Sequence, residues 1–166
     1  TAWFVLAPPV VAPDGSVIVV ADRMYAINAD GTLKWFNNLS YGISSYGAPA
    51  VDLQGNVYYA SDWHVWKLNA QGVEVWQYTI NAGCGSFLGH SWGSPVVDPA
   101  GRIYLGLGNG KRSAIPCEKK LLVLSPAGTL LTSFAFPEIP GTSSPALAAD
   151  GTLYIGNLDG GLYALR

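Results

Sequence analysis

The amino-acid sequence predicts an all-β protein, a β-propeller made of four antiparallel blades with four strands in each blade. A motif with a proline and a glycine six positions apart occurs four times in the 166 residues, and such self-similarity indicates a repeat architecture. Hydrophobic residues make up 49% of the chain and charged residues only 12%, against about 25% in average soluble domains. The predicted sheets should therefore be covered on both faces by their neighbours.

Each repeat unit has the pattern of a four-stranded meander, with strands named A to D. The motif ends in a glycine that suits a tight turn between strands A and B; its four copies are Pro9–Gly15, Pro49–Gly55, Pro95–Gly101 and Pro145–Gly151. Two apolar runs follow each glycine, and in the first three units a second glycine turn and a fourth strand come next. No segment has a helical period, which favours an all-β domain.

The predicted blades cover residues 8–39, 48–80, 94–136 and 144–166 of one domain. The fourth unit has no strand D after its strand C. The first six residues form an unassigned apolar strand with Trp3 where other D strands have Trp35 and Trp76. We expect residues 1–6 to complete the fourth blade and close the ring, which would protect an exposed sheet edge. The alternative is half of an eight-bladed ring made by two chains.

The charge pattern limits the classes of partner. The net charge is −2 and no basic run exceeds two residues, which argues against nucleic acid. No apolar stretch approaches the roughly 18 residues of a membrane-spanning helix. The chain begins at Thr1 without a signal peptide, so we expect a mature or excised piece.

The candidate binding site is the face formed by the B–C and D–A loops, which are long and varied, whereas the A–B and C–D turns are short and uniform. Variable loops on a rigid scaffold are where binding usually resides. The aromatic, histidine and basic residues expected there are Tyr41, Tyr46, Trp63, His64, Phe87, His90, Trp92, Lys111 and Arg112. They predict an aromatic-lined pocket or peptide surface; the alternative is that these aromatics cap the apolar ends of the blades.

The two cysteines are expected on the same face. Cys84 lies in the loop that enters the third blade, and Cys117 lies in the long B–C loop of that blade. A disulfide between them is expected, which places the protein in an oxidising, extracytoplasmic compartment, either periplasmic or secreted. The alternative is a pair of free buried thiols.

Catalytic and metal-binding patterns are weak in this sequence. Two histidines and two cysteines without CxxC or HxxH spacing do not predict a structural metal site. Ser91–Ser94 is not a nucleophile elbow, and the repeat places no carboxylate pair for glycoside chemistry. We therefore assign no catalytic residue and no metal ligand.

Three segments resemble the repeat of the PQQ-like, quinoprotein alcohol dehydrogenase-like β-propellers: residues 144–156, 159–165 and 30–35. The resemblance implies blades, and members of that family usually have seven or eight. That family also includes quinone-dependent enzymes, which use calcium and a vicinal cysteine pair. Cys84 and Cys117 lie 33 positions apart, so a PQQ–calcium cofactor is not expected.

Three functions remain open at this point. The first is a non-enzymatic binding or scaffold module for a protein, peptide or small polar ligand, with neither nucleic acid nor a membrane span. The second is a quinone-dependent or sugar-active enzyme with its site at the channel mouth. The third is a structural subunit that forms an eight-bladed ring by dimerisation, so that monomer and homodimer both remain possible.

Overall fold

The structure, a computed structural model, describes residues 7–39, 47–61, 64–80, 93–107, 119–137, 143–157 and 160–166. Within these ranges the secondary structure is entirely β, with fifteen strands. The all-β prediction is therefore confirmed. None of the described segments forms a helix long and apolar enough to cross a membrane.

The strands form four separate antiparallel sheets in chain order. The first sheet contains β1 (Val10–Val11), β2 (Val17–Val20), β3 (Met24–Ile27) and β4 (Leu33–Asn37). The second contains β5 (Ala50–Val51), β6 (Val57–Ala60), β7 (His64–Leu68) and β8 (Glu74–Thr79). The third contains β9 (Val96–Val97), β10 (Ile103–Leu107), β11 (Lys120–Leu124) and β12 (Leu130–Ala135). The fourth contains β13 (Ala146–Leu147), β14 (Leu153–Gly156) and β15 (Leu162–Leu165).

These sheets are the four predicted blades, each a meander in which every strand pairs with its sequence neighbour. Strand A is only two residues long in every blade. The fourth sheet has three strands among the described residues. The segment 1–6, expected to supply its fourth strand, lies outside the described residues, so ring closure by that segment stays a prediction.

At one end of the blades, all the turns share one hydrogen-bonding pattern. In the A–B turns, the amide of each glycine donates to the carbonyl three residues earlier, as from Gly15 to Ala12 at 2.9 Å. The C–D turns repeat this, as from Gly72 to Asn69 at 2.8 Å. All these glycines have positive φ, from +76° at Gly72 to +85° at Gly31, where a side chain would be strained.

Apolar faces pack each blade on the next. Side chains alternate along a strand, so blades 2 and 3 each have one face toward the preceding blade and one toward the following blade. The first core joins blades 1 and 2 through Ile18, Val20, Met24, Ala26, Val57, Tyr59, Trp66 and Leu68. The second joins blades 2 and 3 through Tyr58, Ala60, Val65, Ile103, Leu105, Leu122 and Leu124. The third joins blades 3 and 4 through Leu121, Val123, Phe136, Leu153 and Ile155.

At two of these interfaces, a tryptophan on strand D forms a hydrogen bond to the following blade. The indole Nε1 of Trp35 donates to the Ala70 carbonyl at 3.0 Å, and that of Trp76 donates to the Pro126 carbonyl at 2.9 Å. Both acceptors lie in the C–D turn of the following blade. A Cβ on Gly72 would lie 2.4 Å from the Trp35 ring. The glycine is therefore required twice, by its backbone conformation and by the ring that packs on it.

Hydrogen bonds also connect the segments that enter the A strands. The Ala48 amide donates to Ser94 Oγ at 2.8 Å, and the Ser94 amide donates to Ser144 Oγ at 2.9 Å. A Cβ on Gly47 would lie 2.6 Å from the Gly93 carbonyl oxygen. The segments that precede strand A in blades 2, 3 and 4 therefore contact one another through their backbones. The long D–A loops end at these segments.

Carboxylates stabilise the turns at the opposite end. Hydrogen bonds from Thr32 lower the pKa of Asp30, and those from Thr152 lower the pKa of Asp150. Burial works to raise the pKa of Asp98, but hydrogen bonds from the Arg102 amide and guanidinium and from the Tyr104 hydroxyl outweigh it and lower the pKa. These groups hold their negative charge more firmly in the folded state.

The double role of the C–D glycine predicts different costs for two similar substitutions. Gly72→Ala and Gly15→Ala both place a side chain at positive φ, costing about 1–2 kcal/mol, but only Gly72 faces a ring, since nothing lies within 4 Å of a Cβ on Gly15. We expect Gly72→Ala to lower the free energy of unfolding by at least about 1 kcal/mol more than Gly15→Ala. Urea unfolding of both variants measures this, and equal losses would contradict the docking role.

The lowered carboxylate pKa values predict a loss of stability in acid. A group whose pKa is lower in the folded state gives stabilisation that is present above its unfolded pKa, about 4, and is lost as the pH falls through the folded value. The free energy of unfolding should therefore decrease as the pH falls below about 4. Asp98→Asn should cost about 1–2 kcal/mol at neutral pH and make the acid dependence shallower.

Urea unfolding at neutral pH and in acid tests this expectation. Asp22→Asn is the control, because the side chain of Asp22 is 44% exposed whereas that of Asp98 is 4% exposed. The control should stay within about 0.5 kcal/mol of the unmodified chain. An Asp98→Asn variant with unchanged stability and an unchanged acid dependence would show that the turn carboxylates do not stabilise the fold.

Candidate functional site

The residues expected to bind a ligand fall almost entirely outside the part of the chain that the structure describes. These are Tyr41, Tyr46, Trp63, Phe87, His90, Trp92, Lys111 and Arg112. Cys84 and Cys117, the expected disulfide partners, also lie outside the described residues. Their roles stay predictions. What the structure gives is the frame on which their loops begin and end.

His64 is the one predicted site residue that the structure describes. It is the first residue of β7, and its carbonyl accepts a hydrogen bond of 2.9 Å from the Ser61 amide. The residue is only 8% exposed, and its ring centroid lies 5.3 Å from that of Trp66. His64 therefore sits at the end of the blade 2 packing and not on an open surface.

Burial sets the protonation of this histidine. Burial lowers the pKa of His64, and the carboxylate of Glu74 opposes the effect only in part. The imidazole is therefore neutral at pH 7. A neutral, nearly buried ring supports the loop-bearing end of blade 2 by packing.

The core beneath His64 is aromatic. Tyr59 and Trp66 stack with ring centroids 6.1 Å apart and an interplanar angle of 18°, and neither residue is more than 1% exposed. The Trp66 indole N–H has no hydrogen-bond acceptor among the described residues, which costs free energy for a buried donor. This end of the blade 1–blade 2 interface is therefore held by ring packing.

The longest B–C connection has a fixed base. In blade 3 it runs between β10 and β11, where Leu107 is paired with Lys120. The Phe136 amide donates to the Lys119 carbonyl at 2.7 Å, and Lys119 Nζ donates to the Pro137 carbonyl at 2.9 Å. The Phe136 ring lies 5.0 Å from Tyr163 of blade 4. The frame thus positions the two ends of residues 108–118 tightly.

The connections on this end differ strongly in length. Three residues separate β6 from β7, whereas twelve separate β10 from β11. The strands that they join have nearly the same lengths and the same antiparallel pairing. Length variation on a uniform frame is typical of binding loops.

The turn end of the molecule contains two clefts between neighbouring A strands. One of about 350 Å³ lies between blades 2 and 3 and is lined by residues 51–54, 97–99 and 101. The other, of about 570 Å³, lies between blades 3 and 4 and includes Arg102. Asp98 borders both clefts.

The carboxylates beside these clefts are already engaged. Asp52 accepts hydrogen bonds from the amide and side chain of Asn56, at 2.8 Å each, and from the Tyr58 hydroxyl at 3.0 Å. Burial and the neighbouring Asp52 raise the pKa of Tyr58, so this phenol keeps its proton. This pairing has a signal in the sequence that the repeat pattern alone does not reveal, because the spacing of Asp52–Tyr58 recurs as Asp98–Tyr104.

The aspartate carboxylates that the structure describes are dispersed among the turns. In the described ranges, no three histidine, cysteine, aspartate or glutamate side chains are grouped for a metal ion. The A strands carry only valine, alanine and leucine, and the carboxylates of Asp52 and Asp98 are committed to the turns.

Comparison with known proteins places the chain among propeller proteins. The family model described as "Outer membrane protein assembly factor BamB" matches residues 3–118, which is more than half of the chain. No curated protein matches this chain.

Among solved structures, the chain superposes on BamB from Moraxella catarrhalis with a TM-score of 0.61 and 17% identity, over 100% of this chain and 53% of that one. It superposes on virginiamycin B lyase from Staphylococcus aureus with a TM-score of 0.66 and 13% identity, over 100% of this chain and 56% of that one. On a Bacteroides caccae protein of unknown function, the chain superposes with a TM-score of 0.64 and 14% identity, over 93% of this chain and 53% of that one.

The chain spans a little over half the length of these solved proteins. At such identities the structural similarity shows the propeller fold alone. The family match extends over most of the first three blades and agrees with the repeat resemblance found in the sequence. The chain belongs to the family of the outer membrane protein assembly factor BamB, within the PQQ-like β-propellers.

Proposed function

We propose that this chain is a non-enzymatic scaffold module that binds a protein or peptide through the loops at the B–C and D–A end of its blades. The observation that supports it is the contrast between the two ends. One end repeats a single hydrogen-bonded turn in every blade. At the other end, the B–C connections range from three to twelve residues on the same frame.

The expected chemistry of that end suits a peptide partner. The residues expected there would provide aromatic contact surface (Trp63, Trp92, Tyr41 and Phe87) and hydrogen-bond donors (Arg112). Such residues are enriched where proteins bind proteins. The expected Cys84–Cys117 disulfide would hold two of the loops together. Membership of a family named for an assembly factor supports the same proposal.

This function implies a location outside the cytoplasm. A disulfide between long loops would form and persist in an oxidising compartment such as the periplasm. The matching family is described as an outer membrane protein assembly factor, and this description supports the same location. Both considerations support a periplasmic or secreted protein.

A displayed library of short random peptides, selected against the immobilised chain, tests the proposed face. We expect selected peptides to lose affinity at least about tenfold on a Trp63→Ala/Trp92→Ala double variant, because buried aromatic anchors dominate such interfaces. Leu53→Ala is the control, since Leu53 is 84% exposed in the turn between β5 and β6 at the opposite end. Its affinity should not change.

Isothermal titration of one selected peptide measures the three affinities. Peptides that bind the double variant as tightly as the unmodified chain would place binding elsewhere. Peptides that lose affinity with Leu53→Ala would move the site to the turn end. A calcium ion or a quinone chromophore retained by the purified chain would contradict the non-enzymatic role.

A further inference from the structure

Each blade has two distinguishable faces, which we name by direction. The forward face packs on the following blade, and the rear face packs on the preceding blade. On strand B, the residue three positions after the turn glycine points forward, whereas those two and four positions after it point to the rear. The forward Tyr58 belongs to the core with blade 3, and the rear Val57 and Tyr59 belong to the core with blade 1.

The rear-face position four residues after the glycine is buried wherever a blade precedes it. Tyr59, Leu105 and Ile155 are 1%, 0% and 1% exposed. The equivalent residue of blade 1 is Val19, which is half-buried. Its face is continuous with Val11, which is 68% exposed. The rear face of blade 1 is therefore an apolar packing face that is not fully covered.

The forward face of blade 4 is open in the same way. Its C-strand residue Leu162 pairs with Gly156 and occupies the position of Met24, Val65 and Leu121 in the other blades. Those three residues are 0% exposed, whereas Leu162 is 73% exposed. Tyr154, on the same face, is 39% exposed.

These two open faces are chemically matched. On β1 to β3, the rear face of blade 1 presents Val11, Val17, Val19, Tyr25 and Ile27. On β13 to β15, the forward face of blade 4 presents Ala146, Tyr154, Leu162 and Ala164. Neither set contains a charged residue, and charges lie only at the margins: Arg23 over the Phe36 ring beside the first set, and Arg166, paired with Asp150, beside the second. Contiguous apolar surface rimmed by charged residues marks an interaction site.

We propose that the forward face of blade 4 binds the rear face of blade 1 of a second copy of this chain, and that two copies close an eight-bladed ring. The contact continues the three forward-to-rear interfaces already present within the chain. A contact between different faces closes into a ring when rotation returns to the start. Propellers have typically four to eight blades, and two copies reach that upper number.

The exposure of both faces argues against closure of the ring by these four blades alone, and a second copy is the occupant because it brings the same forward and rear faces that already pack within the chain. In a ring closed by one chain, blade 1 would cover blade 4 and Leu162 would be buried like its three equivalents. Leu162 instead has most of its side chain in solvent. The superposition of all four blades on a little over half of longer propellers agrees with an open arc that needs further blades.

Native mass spectrometry of the 166-residue chain, with light scattering across a concentration series, tests the proposal. We expect a dimer at twice the chain mass of 17.6 kDa. Leu162→Lys and Val19→Glu should each give a monomer, because either substitution places a charge in both interfaces of the ring. Leu53→Lys is the matched control on an exposed leucine outside both faces and should remain a dimer.

Mixing the two monomeric variants provides a test that does not depend on loss alone. A heterodimer of Leu162→Lys with Val19→Glu has one unmodified interface and one with opposite charges, so dimers should return in the mixture. Circular dichroism should show that each variant keeps its β-structure. The proposal is overturned by a monomeric unmodified chain at every concentration, by a dimer that survives both substitutions, or by a mixture that stays monomeric.

Discussion

The packing of each blade on the next, completed by an indole on a glycine turn, is the interaction on which this structure depends. A single blade has at most four short strands and no interior of its own, so its stability comes from its neighbours, as in other repeat proteins. Trp66, Leu105 and Leu121 are fully buried between blades. Full burial of such a side chain contributes about 1.5–3 kcal/mol, and the interfaces contain many of them.

This constraint explains both the composition and the division of the molecule into two ends. Two packing faces on every sheet leave few positions for charge, which accounts for the low charged fraction. Two C–D turns present a glycine to the preceding blade's tryptophan, Gly72 to Trp35 and Gly128 to Trp76, which restricts variation at the turn end. The connections at the other end make no such contact among the described residues, and their variation in length supports a binding role there.

Most of the frame could be predicted from sequence because its signals are local. The Pro-to-Gly motif, the apolar runs and the second glycine turn predict the four blades and the turns within them. The sequence predicts His64 in a B–C loop, whereas β7 begins at His64 and the residue packs on Trp66. No sequence signal distinguishes a histidine in a short turn from one that begins the following strand. The exposure of Leu162 could not be predicted either, since it occupies the same position in the repeat as buried Leu121; only the arrangement of blades distinguishes them.

The most direct test of the central claim compares two neighbouring substitutions on β8. Trp76 docks on the next blade, whereas Val75 is 54% exposed. Trp76→Ala should lower the free energy of unfolding by about 2–3 kcal/mol, somewhat less than for a fully buried ring, while Val75→Ala should cost less than about 0.5–1 kcal/mol. Urea unfolding of both variants gives the two values. Equal costs would contradict the claim that indole docking between blades holds the structure together.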